Sequence, residues 1–224
     1  MTLKADIDYE DAHDEIKDFD VLVIPGGNSE PTLKANEEPM KIIKAFAELQ
    51  KGDPSKERTL LTVCTGSLFA AHAGVLQGLA ATTHHAYYTR LENICKEAAL
   101  RDLGERTDVM EERYVVNNAR FDLGENWDEN PFILSKRPEG RRKSIARKGS
   151  MAWKESNTRR ESLIRRGSMP LGGLRVITSG GVTAGMDAAL YLVAALVSHD
   201  AAVKVANGMA FTWAKGVVCE GIDV

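Results

Sequence analysis

Five short runs, residues 21–24, 59–63, 80–83, 113–116 and 174–178, are apolar or β-branched and are each closed by Pro, Gly or small polar residues. Runs of this length and composition read as buried strands. Between them apolar residues recur at helical spacing. Residues 39–50 place Met40, Ile43, Phe46 and Leu49 on one face and are followed by Gly52, a stop signal. Residues 67–76, 87–98, 183–198 and 200–213 read as further helices. A strand with no polar face must be covered on both sides, and helices placed in the crossovers do that. The alternation therefore predicts an α/β chain built on a doubly wound, mostly parallel sheet, whose ligands collect at the carboxyl ends of the strands.

Length and composition agree with one such core, since 224 residues with 43% apolar content can bury it. The longest apolar run, residues 188–197, has ten residues, half of the roughly 20 that a membrane span needs. The opening MTLKADIDYE lacks the basic and apolar regions of a secretory signal. Three cysteines, Cys64, Cys95 and Cys219, cannot form a fully paired framework. A reducing, cytoplasmic setting is the expectation, with no membrane partner.

The formal charge of −3 conceals two different materials. From Lys136 to Ser168 there are 12 Lys and Arg against 3 Asp and Glu, leaving 17 basic and 29 acidic residues in the rest of the chain. Within that stretch Ser144, Ser150, Ser156, Ser162 and Ser168 recur every six residues, in the frames RRKSIA, RKGSMA, WKESNT, RRESLI and RRGSMP. The unit has neither helical nor β-helical apolar spacing and is too charged to bury. We therefore expect a single domain, residues 1–224, interrupted by a solvated, disordered insertion at about 122–173. Paired basic residues two and three positions before a serine are what basophilic protein kinases accept. Ser144, Ser162 and Ser168 carry Arg-Arg there and Ser150 carries Arg-Lys, which makes these four the candidate phosphosites. The same stretch also reads as an inert low-complexity loop. Nucleic acid is the weaker partner for these charges, because Trp153 is the one aromatic residue interleaved with them.

Three strand ends carry the small residues that a pocket needs. The first strand runs into Pro25-Gly26-Gly27, the second into Cys64-Thr65-Gly66-Ser67, and the last into Ser179-Gly180-Gly181. Small residues let the backbone turn tightly and aim its N–H groups outward. Cys64 lies between a strand and a helix start, where the helix dipole favours the thiolate. The N–H of Thr65 and an N–H from Gly26 or Gly27 are candidate oxyanion-hole donors. On residue type alone a small buried cysteine is the better reading of Cys64, and it is the reading for Cys95 and Cys219, placed in a helix or tail without Gly-rich flanks. The histidines lack metal-ligand spacing, and no phosphate-loop or dinucleotide fingerprint is present, so neither metal nor cofactor is expected.

VLVIPGG, TVCTGSLFAAHAGVLQGLAATTHH and LRVITSGGVTAGMDAALYLVAALV resemble the three signature blocks of the DJ-1/PfpI (ThiJ/PfpI) superfamily, over residues 19–198 without the insertion. The resemblance implies a flavodoxin-like, class I glutamine-amidotransferase-like fold, a nucleophile-elbow cysteine at Cys64, a homodimer and a small-molecule substrate. Thr65 after the cysteine and Ala-Thr-Thr-His ending at His84 are similar to the isonitrile hydratase-like subgroup. His84, with Ser179, Gly180 and Gly181, is then a pocket residue. PfpI-type protease chemistry is disfavoured because Thr65 stands where His is expected, and amidotransferase chemistry because the late histidine reads Ser198-His199-Asp200. Family members begin with a strand, a helix and a further strand that supply an acidic residue against the cysteine, and this N-terminal portion is expected to be missing here. Two functions stay open on this evidence. One is a cysteine-dependent hydratase or hydrolase of a small electrophile. The other is a non-catalytic regulatory or stress-response module with a phosphorylatable basic arm.

Overall fold

The computed structural model describes residues 4–35, 37–119, 133–135 and 169–219. The hexad serines Ser144, Ser150, Ser162 and Ser168 lie outside the described residues.

Among the described residues six strands form the main sheet: β1 (Val21–Ile24), β2 (Thr59–Val63), β5 (Tyr114–Asn117), β6 (Ile133–Ser135), β7 (Arg175–Ser179) and β8 (Gly216–Cys219), in the order β1-β2-β7-β5-β8-β6. Four of the five pairings are parallel, and only β5 against β7 is antiparallel. The sheet is therefore mostly parallel and the chain α/β, as the alternation requires. Side chains alternate between two cores. Leu60 and Val176 face one, with Ile43 and Phe46 of α3 (Met40–Gly52), Leu68 of α4 (Gly66–His72) and Leu91 of α5 (Tyr88–Asp102). Leu61 and Ile177 face the other, with Ala188, Tyr191 and Leu192 of α6 (Val182–Leu196). Helix α7 (His199–Gly208) packs on α6. Among the described residues β1 is an outer strand of the sheet, and its Val23 is half exposed.

Several expectations are corrected. Residues 80–83 do not enter the main sheet; only β3 (Ala80–Ala81) is a strand, paired in a two-stranded ribbon with β4 (Asp108–Val109). Side chains rather than a ladder tie this segment to the sheet. Asn117 takes the Ala80 N–H at 3.0 Å and donates to its carbonyl at 2.7 Å, and Thr178 Oγ1 takes the Thr82 N–H at 2.9 Å. The helix expected over 200–213 stops at Gly208, and Cys219 sits in β8, an interior strand whose four residues are all buried, not in a helix or tail. Two short helices carry no readable apolar period. One is α1 (Tyr9–Glu15), with no buried residue and Asp8 capping the Asp11 N–H at 3.0 Å; the other is α2 (Ser29–Ala35).

Candidate active site around Cys64

Strands β1, β2 and β7 are adjacent and parallel, with Ile24 opposite Thr62 and Val63 opposite Ser179. Their carboxyl ends therefore fall along one end of the sheet, which brings Gly26-Gly27, Cys64-Thr65 and Ser179-Gly180-Gly181 together.

Cys64 adopts a left-handed backbone with φ of 58°, a conformation that costs a non-glycine residue about 1–3 kcal/mol and persists only where its surroundings over-determine it. Here they do. The Cys64 N–H is shared by the carbonyls of Ser179 and Gly180, both at 3.0 Å, and the Cys64 carbonyl accepts from Ser67 Oγ and Thr83 Oγ1, each at 3.1 Å. Two glycines permit the close approach. A Cβ on Gly26 would stand 2.6 Å from Cys64 Cβ, and one on Gly66 would overlap the Ile24 carbonyl oxygen.

Thr65 is buried and clamps the neighbouring loop. Its Oγ1 accepts the Gly27 N–H and donates to the Gly27 carbonyl, both at 2.9 Å. The Gly27 N–H is thereby committed. The N–H groups of Gly26 and Thr65 have no acceptor among the described residues. Ser179 is fully buried and turns its hydroxyl to the Thr62 carbonyl at 3.3 Å, so its carbonyl, not its side chain, serves Cys64.

His84 follows the β3 segment. Its Nδ1 accepts the Ala86 N–H at 3.3 Å, which in the neutral ring puts the proton on Nε2. The ring lies beside the Gly181 turn, where a Cβ would come within 3.4 Å of His84 Cδ2. It lies tilted against His85 at 4.2 Å between centroids and meets Tyr87 edge-on at 5.9 Å.

The three cysteines differ in environment. Cys64 is partly exposed, whereas Cys95 and Cys219 are buried. Burial pushes the Cys95 thiol up to about 11, with the Thr107 hydrogen bond opposing only in part. Cys219 packs on Met110, sulfur to sulfur at 3.8 Å. Among the described residues no group of three or more His, Cys, Asp or Glu could hold a metal ion, and no helix is long and apolar enough to cross a membrane.

Sequence reasoning passes over three residues at this end of the sheet. Thr83 is one, through its bond to the Cys64 carbonyl. The others are Arg113 and Asp187. The readable signal for Asp187 is that it is the one charged residue in the otherwise apolar or small α6.

The chain is similar to isonitrile hydratase of Pseudomonas putida, 35% identical over 88 residues, which are 38% of this chain and 36% of that protein. It is also similar to DJ-1 protein homolog E of Arabidopsis thaliana, 35% identical over 63 residues, 28% of this chain and 14% of that protein. The aligned stretches thus span about a third or less of these relatives' own lengths. Among solved structures, Schizosaccharomyces pombe DJ-1 aligns with a TM-score of 0.47 and 16% identity, covering 94% of this chain and 74% of that one. A THiJ/PfpI family protein from Pseudomonas syringae aligns with a TM-score of 0.42 and 20% identity, covering 86% and 50%. The DJ-1/PfpI family model matches residues 1–119, more than half of the 224-residue chain and including the whole Cys64 elbow, and the protein belongs to that family.

Proposed function

We propose that Cys64 is the nucleophile of a reaction on a small electrophilic carbon, with an isonitrile as the first substrate class. The observation that carries this reading is the convergence of three strand ends on Cys64. It is the partly exposed cysteine of the three, held at φ of 58° with the N–H groups of Gly26 and Thr65 beside it, which have no acceptor among the described residues.

Attack of the thiol on the terminal isonitrile carbon forms a carbon–sulfur bond, and the thiol proton ends on that carbon, giving a thioimidate. Water then adds to the same carbon and the carbon–sulfur bond breaks. The thiol is regenerated and an N-substituted formamide leaves, so the net reaction is addition of one water. The Gly26 and Thr65 N–H groups stabilise charge that develops at this end of the sheet, where donors fixed before the reaction need no reorganisation. His84, with Nε2 carrying the proton, orients the substrate from the Gly181 side.

The test has two parts. Purified protein with a small alkyl isonitrile should release the formamide, followed by proton NMR, and Cys64→Ala should abolish release. Iodoacetamide mapping by mass spectrometry should label Cys64 faster than Cys95 and Cys219 at neutral pH. Equal labelling of all three in folded protein removes the nucleophile reading; formamide release by Cys64→Ala removes covalent catalysis.

A further inference from the structure

Asp187 is wholly buried, and its contacts join three parts of the fold. Its Oδ2 accepts from Arg113 Nε at 2.7 Å and lies against Arg113 Nη2, and its Oδ1 accepts the Ala214 N–H at 2.8 Å. The Asp187 carbonyl takes the Trp213 indole N–H at 3.1 Å. Arg113 Nη2 also reaches Thr183 Oγ1 at 3.2 Å, on the first turn of α6. One ion pair therefore fixes the entry to β5, the start of α6 and the approach to β8.

The backbone of Arg113 continues the chain of contacts toward the sulfur. The Arg113 carbonyl accepts the Gly180 N–H at 2.9 Å, and the Gly180 carbonyl is one of the two that share the Cys64 N–H at 3.0 Å. The guanidinium fork limits how far Arg113 can shift, since both its Nε and Nη2 sit on one buried oxygen. Gly180 is thus held between a fixed carbonyl and the strained Cys64. We infer that Arg113, anchored by Asp187, is a positioning residue for Cys64, acting through Gly180 to hold the nucleophile's backbone in its left-handed conformation. The inference rests on Cys64 being the reacting residue.

Displacements of about 1 Å at a reacting group can cost up to about a hundredfold in rate, so a loosened Gly180 should be visible in kinetics. The experiment compares wild type with Arg113→Gln, Arg113→Lys and the double variant Arg113→Gln with Asp187→Asn. The double variant removes both charges and so leaves no buried carboxylate unpaired. Cys64 alkylation by iodoacetamide at pH 7 is the first readout, with protection of the buried Cys95 and Cys219 reporting an intact fold. The kcat and KM of formamide release from a small isonitrile are the second. In the folded Arg113→Gln and double variants, Cys64 alkylation and kcat should fall at least about tenfold while KM stays within twofold, and Arg113→Lys, which keeps a cation beside Asp187, should retain most of the wild-type rate.

Folded Arg113→Gln and double variants whose Cys64 alkylation stays within twofold of wild type overturn the inference. So does loss of Cys95 and Cys219 protection in all three variants, because the pair then serves the whole fold. If wild type alkylates Cys64 no faster than the other cysteines, the nucleophile reading itself fails. If wild type alkylates Cys64 preferentially but releases no formamide, only the substrate class fails and the alkylation comparison still decides the role of Arg113.

Discussion

Gly66→Ala sets two effects of known size against each other. Gly66 opens α4, and alanine in a helix is favoured over glycine by up to about 1 kcal/mol. If α4 stood free of the sheet, the substitution would stabilise the protein. The fold predicts the reverse, because the added Cβ would overlap the Ile24 carbonyl oxygen and sit 3.0 Å from the Pro25 carbonyl oxygen. Both obstacles are backbone, so no rotamer change relieves them; α4 has to back away from the end of β1. Overpacking of this kind costs about 1–3 kcal/mol, and a backbone obstacle belongs at the upper end. The net expectation is a loss of about 2 kcal/mol, which for a chain of this size lowers Tm by roughly 4–8 °C. The shift should also move Thr65 away from Gly26 and slow Cys64 alkylation. Gly208→Ala is the control: it lies at the end of α7 with nothing within 4 Å of an added Cβ, and should leave Tm unchanged or raise it slightly. Calorimetry on both variants decides the matter. A Gly66→Ala protein as stable as wild type would mean that α4 does not start against β1 and that the elbow geometry is wrong.

Thr65→Val keeps the shape of the side chain but removes both bonds to Gly27; a loss of about 1–2 kcal/mol in urea unfolding and slower turnover are expected. Because the Cys95 thiol is held above its ordinary value at about 11, the folded state favours its protonated form. That contribution is complete below the unfolded thiol's pKa and is lost as pH rises through about 11, so stability measured by urea should fall over this alkaline range, and fall less in Cys95→Ala. For the hexads, each phosphate adds about −1.5 to −2 charges, so four add roughly −6 to −8 against a stretch with 12 Lys and Arg and 3 Asp and Glu. Incubation with a basophilic kinase and phosphopeptide mapping should find Ser144, Ser150, Ser162 and Ser168 modified and Ser156, preceded by Trp153-Lys154, the poorest site; incorporation at none of them would leave the repeat an inert insertion.

The parts of this fold that are legible in the sequence are those where one local signal suffices. Val21–Ile24 and Thr59–Val63 are apolar runs ended by Pro25 and by Cys64-Thr65-Gly66, and both strands lie where the pattern puts them. Met40, Ile43 and Phe46 share a face of α3 because their spacing follows the helical turn, and all three are buried. What the pattern misses depends on partners distant in the chain. Gly216–Cys219 is only four residues long, and it becomes an interior strand because β5 offers Val115, Val116 and Asn117 as pairing partners. Ala80–Ala81 is tied to the main sheet by the Asn117 side chain rather than by a ladder, a contact across 37 positions. At the site, Cys64 and Thr65 are readable from the strand-to-helix turn. The commitment of the Gly27 N–H to Thr65, and the link from Asp187 through Arg113 to Gly180, exist only once three strand ends meet.

The antiparallel pairing of β5 with β7 also separates Cys64 from the ends of the described segments that flank residues 120–168. Tyr114 pairs with Ser179 at the end next to Cys64, and Asn117 pairs with Val176 at the other end. The chain leaves β5 at this second end, described to Ala119, and returns into β7 there from Met169; β6, parallel to β8 and through it to β5, also ends on this side at Ser135. The return is pinned by Asn118, whose Nδ2 donates to the carbonyls of Pro170 at 2.9 Å and Leu174 at 2.8 Å, and by Gln50, whose Nε2 donates to the Gly172 carbonyl at 3.0 Å. Register between the two strands is thus set by contacts on the body side of the departure point. A slip of one residue would turn Val116 and Ile177 out of their shared core, so the register resists change. The entropic cost of a longer connection grows only slowly with its length, by about 0.6 kcal/mol per doubling. Sequence can therefore lengthen or repeat between residues 135 and 169, beyond the end of β6, while Arg113, Gly180 and Cys64, at the opposite end of the β5–β7 pair, keep their geometry.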